Sequence, residues 1–250
     1  MIIPTPRLVL REFTVEDWPA VLAYQSSPQY LRYYPAVRRT PRDARTFVAL
    51  CIAWQRASPR SKYQLAITLR DDGRLIGNVG IRKPSPEATV AELGYELAPA
   101  QWGQSYATEA ASAMLRFAFE HLALRRVHAH CIAENVASAR VLKRIGMRFE
   151  GRLREDQWFK GRWWDTLLYG ILDREWRALP EGDTAQGGCA GSADGAPIGA
   201  DSGSSAQCRA TRFAAHRRPS ARMTWNRRRC DGGTTDPRDA AVGPAALCPR

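Results

Sequence analysis

The segment from Glu92 to Ala110 constrains the fold more than any other part of the chain. An alternating apolar run that includes Leu93 and Leu97 stops at Pro99, as expected for a β-strand. A short loop of small and polar residues follows, and a helical pattern begins at about Ala107. A strand, a tight loop and a helix start gather backbone N–H groups at the positive end of a helix dipole, and such an arrangement binds phosphate.

The composition of this loop, 102–107, excludes two common kinds of phosphate site. It has no lysine followed by serine or threonine, so it is not the loop of a nucleoside triphosphatase. It also lacks the three spaced glycines of a dinucleotide-binding fold. A phosphate loop that has neither motif is consistent with binding the pyrophosphate of coenzyme A.

A second motif, 133–149, follows a strand-like run from Arg126 to Ile132. Helical spacing places Asn135, Ser138 and Leu142 close to one face of the helix that this motif predicts. Gly146 is in the position that commonly ends such a helix.

With both motifs in view, the chain resembles the GNAT superfamily of N-acetyltransferases, and most of all its branch of ribosomal-protein-alanine acetyltransferases. Three further segments fit that branch, at 5–11, 161–165 and 169–176. The resemblance covers about residues 5–178 in the family's order. It implies an α/β fold with a mixed, mostly antiparallel central sheet flanked by helices. It also implies acetyl-CoA as co-substrate and no metal.

The resemblance assigns roles to particular residues. Leu97 N–H would polarise the acetyl carbonyl where two strands splay apart, and Asn135 would bind the pantetheine amide. Ser138 would donate a hydrogen bond or a proton to the thiolate. The pyrophosphate would be held by backbone N–H groups of the loop and helix start: Gln101, Trp102, Gly103, Gln104, Ser105, Tyr106 and Ala107. A simpler alternative is that Asn135 only caps its helix and Ser138 is a surface residue.

The general base is left open by the sequence. An acceptor ammonium must lose a proton, so a carboxylate, a histidine or a water chain is required. Glu92, on the strand before the loop, and His130, on the neighbouring strand, are the two candidates. The serine branch can carry a carboxylate on the strand after the second motif. The matching position here is Gln157, flanked by Glu155 and Asp156, and a register that differs by one residue would restore an acid. Glu109 is interpreted as a complement to the helix dipole.

Ser105 departs from the family pattern, which has glycine at this position. A serine there costs roughly 1 kcal/mol if its φ angle is positive. We therefore expect weakened rather than abolished cofactor binding, and we expect Trp102 either to pack on the helix or to cover the loop.

Periodicity and turn residues predict the order of elements. The helices are predicted to run from Thr14 to about Gln25, from Thr40 to about Trp54, over 106–121 and over 135–145. The strands are predicted at 7–13, 63–69, 75–82, before the loop, at 126–132, 149–157 and 163–173. Residues 1–178 would form one domain. The Gly, Ala and Arg-rich tail, 179–250, is predicted to be disordered, with a frameshift or read-through as the favoured hypothesis against a genuine tail.

The composition bears on whether the chain binds nucleic acid, spans a membrane or is secreted. The formal net charge is +12, but only four of the 37 basic residues are lysine, and a GC-rich coding sequence explains such a skew as well as a nucleic-acid surface does. No apolar run is long enough to span a membrane, and no secretory signal is present. Cys51 and Cys131 are predicted to be buried reduced thiols, which fits a cytoplasmic protein.

The sequence therefore predicts an acetyl-CoA-dependent N-acetyltransferase, a monomer or homodimer, that acts on a primary amine, with a protein N-terminal amine first. A small-molecule amine such as an aminoglycoside is one alternative, and a catalytically silent CoA-binding protein is another. An Arg-rich tail that binds nucleic acid is a third. Acceptor contacts are expected among the aromatic residues of the early helices and the late loop: Tyr30, Tyr33, Tyr34, Trp158, Trp163 and Trp164.

Overall fold

The computed structural model describes residues 1–180, in which eight strands form one mixed sheet. The strands are β1 (Ile2–Pro4), β2 (Leu8–Arg11), β3 (Lys62–Leu69), β4 (Leu75–Arg82), β5 (Val90–Leu97), β6 (Arg126–Ile132), β7 (Arg148–Phe159) and β8 (Arg162–Leu172). Their spatial order is β1-β2-β3-β4-β5-β6-β8-β7. Every neighbouring pair is antiparallel except β5 and β6, which are parallel. The predicted mostly antiparallel α/β sheet is confirmed.

Helices cover both faces of this sheet. They are α1 (Trp18–Gln25), α2 (Pro28–Leu31), α3 (Pro41–Arg56), α4 (Tyr106–Arg116), α5 (Val136–Arg144) and α6 (Asp173–Arg177). Helices α1 and α3 pack on one face against β3 and β4, whereas α4 and α5 pack on the other against β4–β7. Because alternate residues of a strand point to opposite faces, each central strand contributes to both layers.

Each face has its own hydrophobic core. Under α4 and α5, Met114 and Leu142 pack with the sheet residues Leu65, Val79 and Tyr169. Under α1 and α3, a smaller core gathers around Phe13 and Phe47, whose rings meet edge to face at 5.7 Å.

Local sequence signals account for the helix ends. Thr40 and Asp43 form the capping box of α3, and the apolar residues of that helix recur with helical spacing from Ala44 to Ile52. Gly146 adopts a φ of 84° just after α5, and Met147 N–H donates to Leu142 O at 3.1 Å. This is the Schellman type of helix end that the sequence predicted.

The predicted elements are present, with differences in their bounds. The strand predicted at 7–13 is shorter, at Leu8–Arg11, and the last two strands extend to Phe159 and from Arg162. The helix predicted over 106–121 is α-helical to Arg116 and continues as a π-helical turn. Three elements were not predicted: β1, α2 and α6 are too short to produce a clear periodic pattern.

The predicted disordered tail lies outside the described residues. Within residues 1–180, no helix is both long and apolar enough to cross a membrane. Cys51 and Cys131 are free and buried, as predicted.

Candidate active site

Strands β5 and β6 separate part of the way along their length. Their parallel pairing is restricted to Val90–Glu92 against Arg126–His128, although both strands continue for several residues. On its other edge, β5 remains paired with β4 as far as Leu97. The result is an open gap in the middle of the sheet, which is the splay that the resemblance implied.

Backbone groups of β5 face this gap. Ala98 N–H donates to Ile76 O of β4 at 2.8 Å. In an antiparallel ladder only alternate residues bond to a given neighbour, so Leu97 and Tyr95 direct their N–H groups away from β4 and toward β6. The indole N–H of Trp102 donates to Leu97 O at 3.0 Å. Leu97 N–H is therefore placed to meet a ligand that enters the gap.

The predicted phosphate loop joins β5 to α4, and two of its residues have backbone angles in the left-handed region. Gly103 has a φ of 78°, and Ser105, the residue before α4, has a φ of 62° and a ψ of 9°. A Cβ added at Gly103 would meet nothing within 4 Å, so the loop is open there. Ser105 does hold the positive φ for which the family uses glycine, and its side chain makes no cap hydrogen bond to α4. The side chain of Trp102 is 48% exposed.

The start of α5 brings Asn135 and Ser138 to the opposite side of the gap. Asn135 Oδ1 accepts a hydrogen bond from Ser138 N–H at 3.2 Å, so the side chain caps the helix, as the simpler alternative held. The Ser138 hydroxyl lies 2.9 Å from the hydroxyl of Tyr95, which comes from β5. Sequence reasoning missed Tyr95, although its alternation with Leu93 and Leu97 places it on the same face.

The two candidate bases are in contact with each other. His130 Nδ1 lies 3.1 Å from Glu92 Oε1, and the guanidinium of Arg82 lies 3.5 Å from the same oxygen. Burial by itself would raise the pKa of Glu92, but the hydrogen bond with His130 and the charge of Arg82 outweigh it and lower that pKa to about 2. Gly94 allows this arrangement, because a Cβ there would lie 2.5 Å from the Arg82 guanidinium.

The neighbouring histidine responds differently to its surroundings. Burial lowers the pKa of His128, and the charge of Glu92 offsets only part of this effect. His128 and His130 lie on the same face of β6, since they are two residues apart.

Gln157 is the residue that the resemblance matched to a carboxylate of the serine branch. It pairs with Trp164 across the hairpin, and its Nε2 donates to Thr166 Oγ1 at 3.2 Å. Asp156 beside it is exposed. The pairing of β7 with β8 is irregular between Leu153 and Gln157.

The carboxylate of Glu109 is bonded to residues near the start of the chain. Its Oε1 accepts from Thr5 Oγ1 at 2.6 Å and from Arg7 N–H at 2.8 Å, and its Oε2 lies 2.7 Å from the Arg7 guanidinium. Burial alone would raise its pKa, but these hydrogen bonds lower it.

A buried polar cluster under α1 was also missed. Glu96 accepts hydrogen bonds from Asn78 Nδ2 at 2.7 Å and Gln25 Nε2 at 3.1 Å, and the hydroxyls of Tyr24 and Tyr34 approach it at 3.4 Å. Strand alternation places Glu96 on the same face as Glu92, which was the available signal.

The aromatic residues expected at the acceptor site fall into three pairs. Tyr33 meets Trp164 edge to face at 6.1 Å, and its hydroxyl donates to Glu134 O at 3.0 Å. Trp164 is buried in a small core with Ile132 and Phe159, against which Tyr33 packs. Tyr30 is buried, and its ring stacks on that of Tyr34 at 4.6 Å. Trp158 and Trp163 are exposed on the hairpin.

The site has the parts that a CoA thioester needs. The open loop and the start of α4 suit a pyrophosphate, the gap suits a narrow chain, and Leu97 N–H and Ser138 flank the gap. Among residues 1–180, no group of three or more His, Cys, Asp or Glu side chains is arranged to hold a metal ion.

These features define the class of protein. The model of the acetyltransferase (GNAT) domain matches residues 7–148, which include the loop, the gap and α5. The chain belongs to the GNAT acetyltransferase family and is an acyltransferase. Members of this family use acetyl-CoA as co-substrate.

Individual relatives agree with this assignment. The chain is 37% identical over 176 residues to the uncharacterized N-acetyltransferase YnaD of Bacillus subtilis, covering 70% of this chain and 99% of that protein. It is 29% identical over 105 residues to the ribosomal-protein-serine acetyltransferase of Escherichia coli, covering 42% and 59% respectively. A GNAT-family acetyltransferase from Bacillus anthracis, of known crystal structure, shares 32% identity with a TM-score of 0.61, covering 70% of this chain and 99% of that one.

Proposed function

We propose that the chain transfers acetyl from acetyl-CoA to a primary amine, most of all a protein N-terminal amine, by direct transfer in a ternary complex. The observation that carries the proposal is the gap between β5 and β6, with Leu97 N–H on one side and Ser138 on the other. Bound acetyl-CoA supplies the thioester carbon that the amine attacks. A preorganised N–H group aimed at a developing oxyanion lowers the barrier of acyl transfer.

The cofactor contacts are proposed as follows. Leu97 N–H meets the acetyl carbonyl, and the pyrophosphate is held by backbone groups of the loop and helix start, Gln101, Trp102, Gly103, Gln104, Ser105, Tyr106 and Ala107. Asn135 contributes to pantetheine binding while it caps α5, and Ser138 donates a hydrogen bond to the sulfur.

His130 is the proposed base and Glu92 its partner. A carboxylate with a pKa of about 2 is too weak a base to accept a proton from an ammonium at neutral pH. Glu92 instead fixes the imidazole through Nδ1 and stabilises the imidazolium that forms. Imidazole is the side chain whose usual titration range includes neutral pH, and it reaches the amine directly or through one water.

A protein N-terminal amine is favoured because the name of the E. coli relative, ribosomal-protein-serine acetyltransferase, indicates a protein acceptor. The hairpin residues Trp158 and Trp163 are exposed and offer an aromatic surface that suits a peptide backbone.

The test is CoA release from acetyl-CoA with peptides that differ in their N-terminal residue, with aminoglycosides and with polyamines. Turnover with peptides, lost in Ser138→Ala and His130→Ala but retained within about twofold in His128→Gln, is the expected result. Turnover with aminoglycosides or polyamines alone would reassign the acceptor. Acetyl-CoA binding without turnover on any acceptor would favour the silent CoA-binding protein.

A further inference from the structure

The hydroxyl of Tyr95 lies between the gap and the first turn of α5. It is 2.9 Å from Ser138 Oγ and 3.0 Å from Ser138 O, although the two residues are 43 positions apart in the chain. Tyr95 extends from the part of β5 that has left β6, so its side chain bridges the two sides of the gap on the face that packs against α4 and α5.

The hydroxyl groups of Tyr95 and Ser138 can be arranged as hydrogen-bond donors in two ways. Tyr95 and Ser138 have one hydroxyl proton each, and the Ser138 carbonyl is a further acceptor. In one arrangement Tyr95 donates to the carbonyl and Ser138 donates to Tyr95. In the other, Tyr95 donates to Ser138 Oγ, and the Ser138 proton is then directed at a third group.

The surroundings favour neutral hydroxyls throughout. Burial raises the pKa of Tyr95, and its hydrogen bond with Ser138 offsets only part of that rise. Burial also raises the pKa of the Cys131 thiol, which contacts Ser138, to about 11. A neutral thiol is a weak acceptor, so Cys131 competes poorly with a thiolate for the Ser138 proton.

We propose that Tyr95 is a positioning residue that directs the Ser138 hydroxyl at the sulfur of coenzyme A. As negative charge develops on the sulfur, the Tyr95 proton turns from the Ser138 carbonyl to Ser138 Oγ, and the Ser138 proton turns to the sulfur. No covalent bond changes in this rearrangement, and Tyr95 keeps its proton. The inference rests on the proposed function, because it places that sulfur at Ser138.

The test measures the pKa of the thiol of CoA bound to the full chain, from the ultraviolet absorbance of the thiolate. Difference spectra against the same protein with desulfo-CoA remove the contribution of the protein's own cysteines and tyrosines. A hydrogen bond to the thiolate lowers the pKa of the thiol, so Ser138→Ala raises it by about one pH unit. Tyr95→Phe, which retains Ser138, is expected to raise it similarly.

The double variant separates positioning from an independent effect. Tyr95→Phe with Ser138→Ala is expected to match Ser138→Ala alone, since Tyr95 acts through Ser138. The matched control is Tyr63→Phe, which removes a tyrosine hydroxyl from β3 at a contact with Arg60 O, and it leaves the thiol pKa unchanged. If Tyr95→Phe does not fold, Tyr95→Leu replaces it, because Leu93 and Leu97 occupy the same face of β5.

The outcomes distinguish the two proposals. A wild-type thiol pKa in Tyr95→Phe, or additive shifts in the double variant, overturns the role of Tyr95 and leaves the acetyltransferase proposal standing. A wild-type chain that does not bind CoA at all overturns both, and this is seen before any titration.

Discussion

Ser105 combines a strained backbone with a central position in the cofactor loop. Its φ of 62° belongs to the left-handed region, where a side chain with a Cβ is disfavoured and glycine is not. From the sequence, a serine at this position was expected to cost about 1 kcal/mol if its φ angle was positive, and the φ angle is positive. The strain is local, and its effect is therefore open to a single substitution.

We predict that Ser105→Gly raises the free energy of unfolding by about 0.5–1 kcal/mol, because glycine relieves the strain at a small entropic cost in the unfolded chain. Chemical denaturation measures this. Ser105→Ala, which keeps the Cβ, should show no such gain, and an equal gain in both variants would contradict the explanation.

Glu92 makes stability depend on pH. Its folded pKa of about 2 lies below its ordinary value, so its contribution is present above about pH 5 and is lost as the pH falls toward 2. We predict that Glu92→Gln flattens the decline of unfolding free energy between these pH values relative to the wild type. Denaturant titrations across this range measure it, and parallel curves would show that Glu92 is not the titrating group.

At the scale of elements, hydrogen bonds and an ion pair connect helix α4 to residues near the N-terminus. Glu109 in its first turn bonds to Thr5 and Arg7, which lie between β1 and β2, so one carboxylate joins the helix to the segment that leads into β2. The same charge complements the helix dipole, as the sequence predicted. The long-range bonds add a second role that the local pattern did not show.

We predict that Glu109→Ala lowers the free energy of unfolding by about 1–2 kcal/mol, because Arg7 N–H and Thr5 lose a charged acceptor. Thermal unfolding checks the loss, and Glu120→Ala, at an exposed position near the end of the same helical segment, is the matched control. The turnover number should change less than twofold, and a loss of turnover in a folded variant would instead make Glu109 part of the chemistry.

At the scale of the whole molecule, the family match and both hydrophobic cores lie within residues 1–180. The loop, the gap, Ser138 and the pair formed by Glu92 and His130 lie there too. This region therefore contains every group in the proposed mechanism.

We predict that residues 1–180 bind CoA with the affinity of the full chain and release CoA from acetyl-CoA at the same rate. Calorimetry and a thiol assay on the two proteins side by side make the comparison. A tenfold loss in the shorter protein would assign a function to residues 181–250, and it would count against a frameshift or read-through.

Local signals determined much of the fold. The helix start at Thr40 and the helix end at Gly146 act through neighbouring backbone groups, so residues a few positions apart were enough to predict them. The alternation in β5 and the spacing in α5 likewise identified the two motifs and the family. Very short elements such as α2 lack a repeat and escaped prediction.

The site itself depended on the tertiary structure. The sequence named Glu92 and His130 separately, but only the pairing of β5 with β6 places them 3.1 Å apart and lowers the pKa of Glu92. Only the packing of α5 beside the open gap brings Ser138 to Tyr95. Periodicity reports which face a residue occupies, whereas contacts between distant segments depend on how the strands are ordered and where they part. The sequence by itself therefore determined the elements and the family, and the splay of the sheet decided which side chains act together.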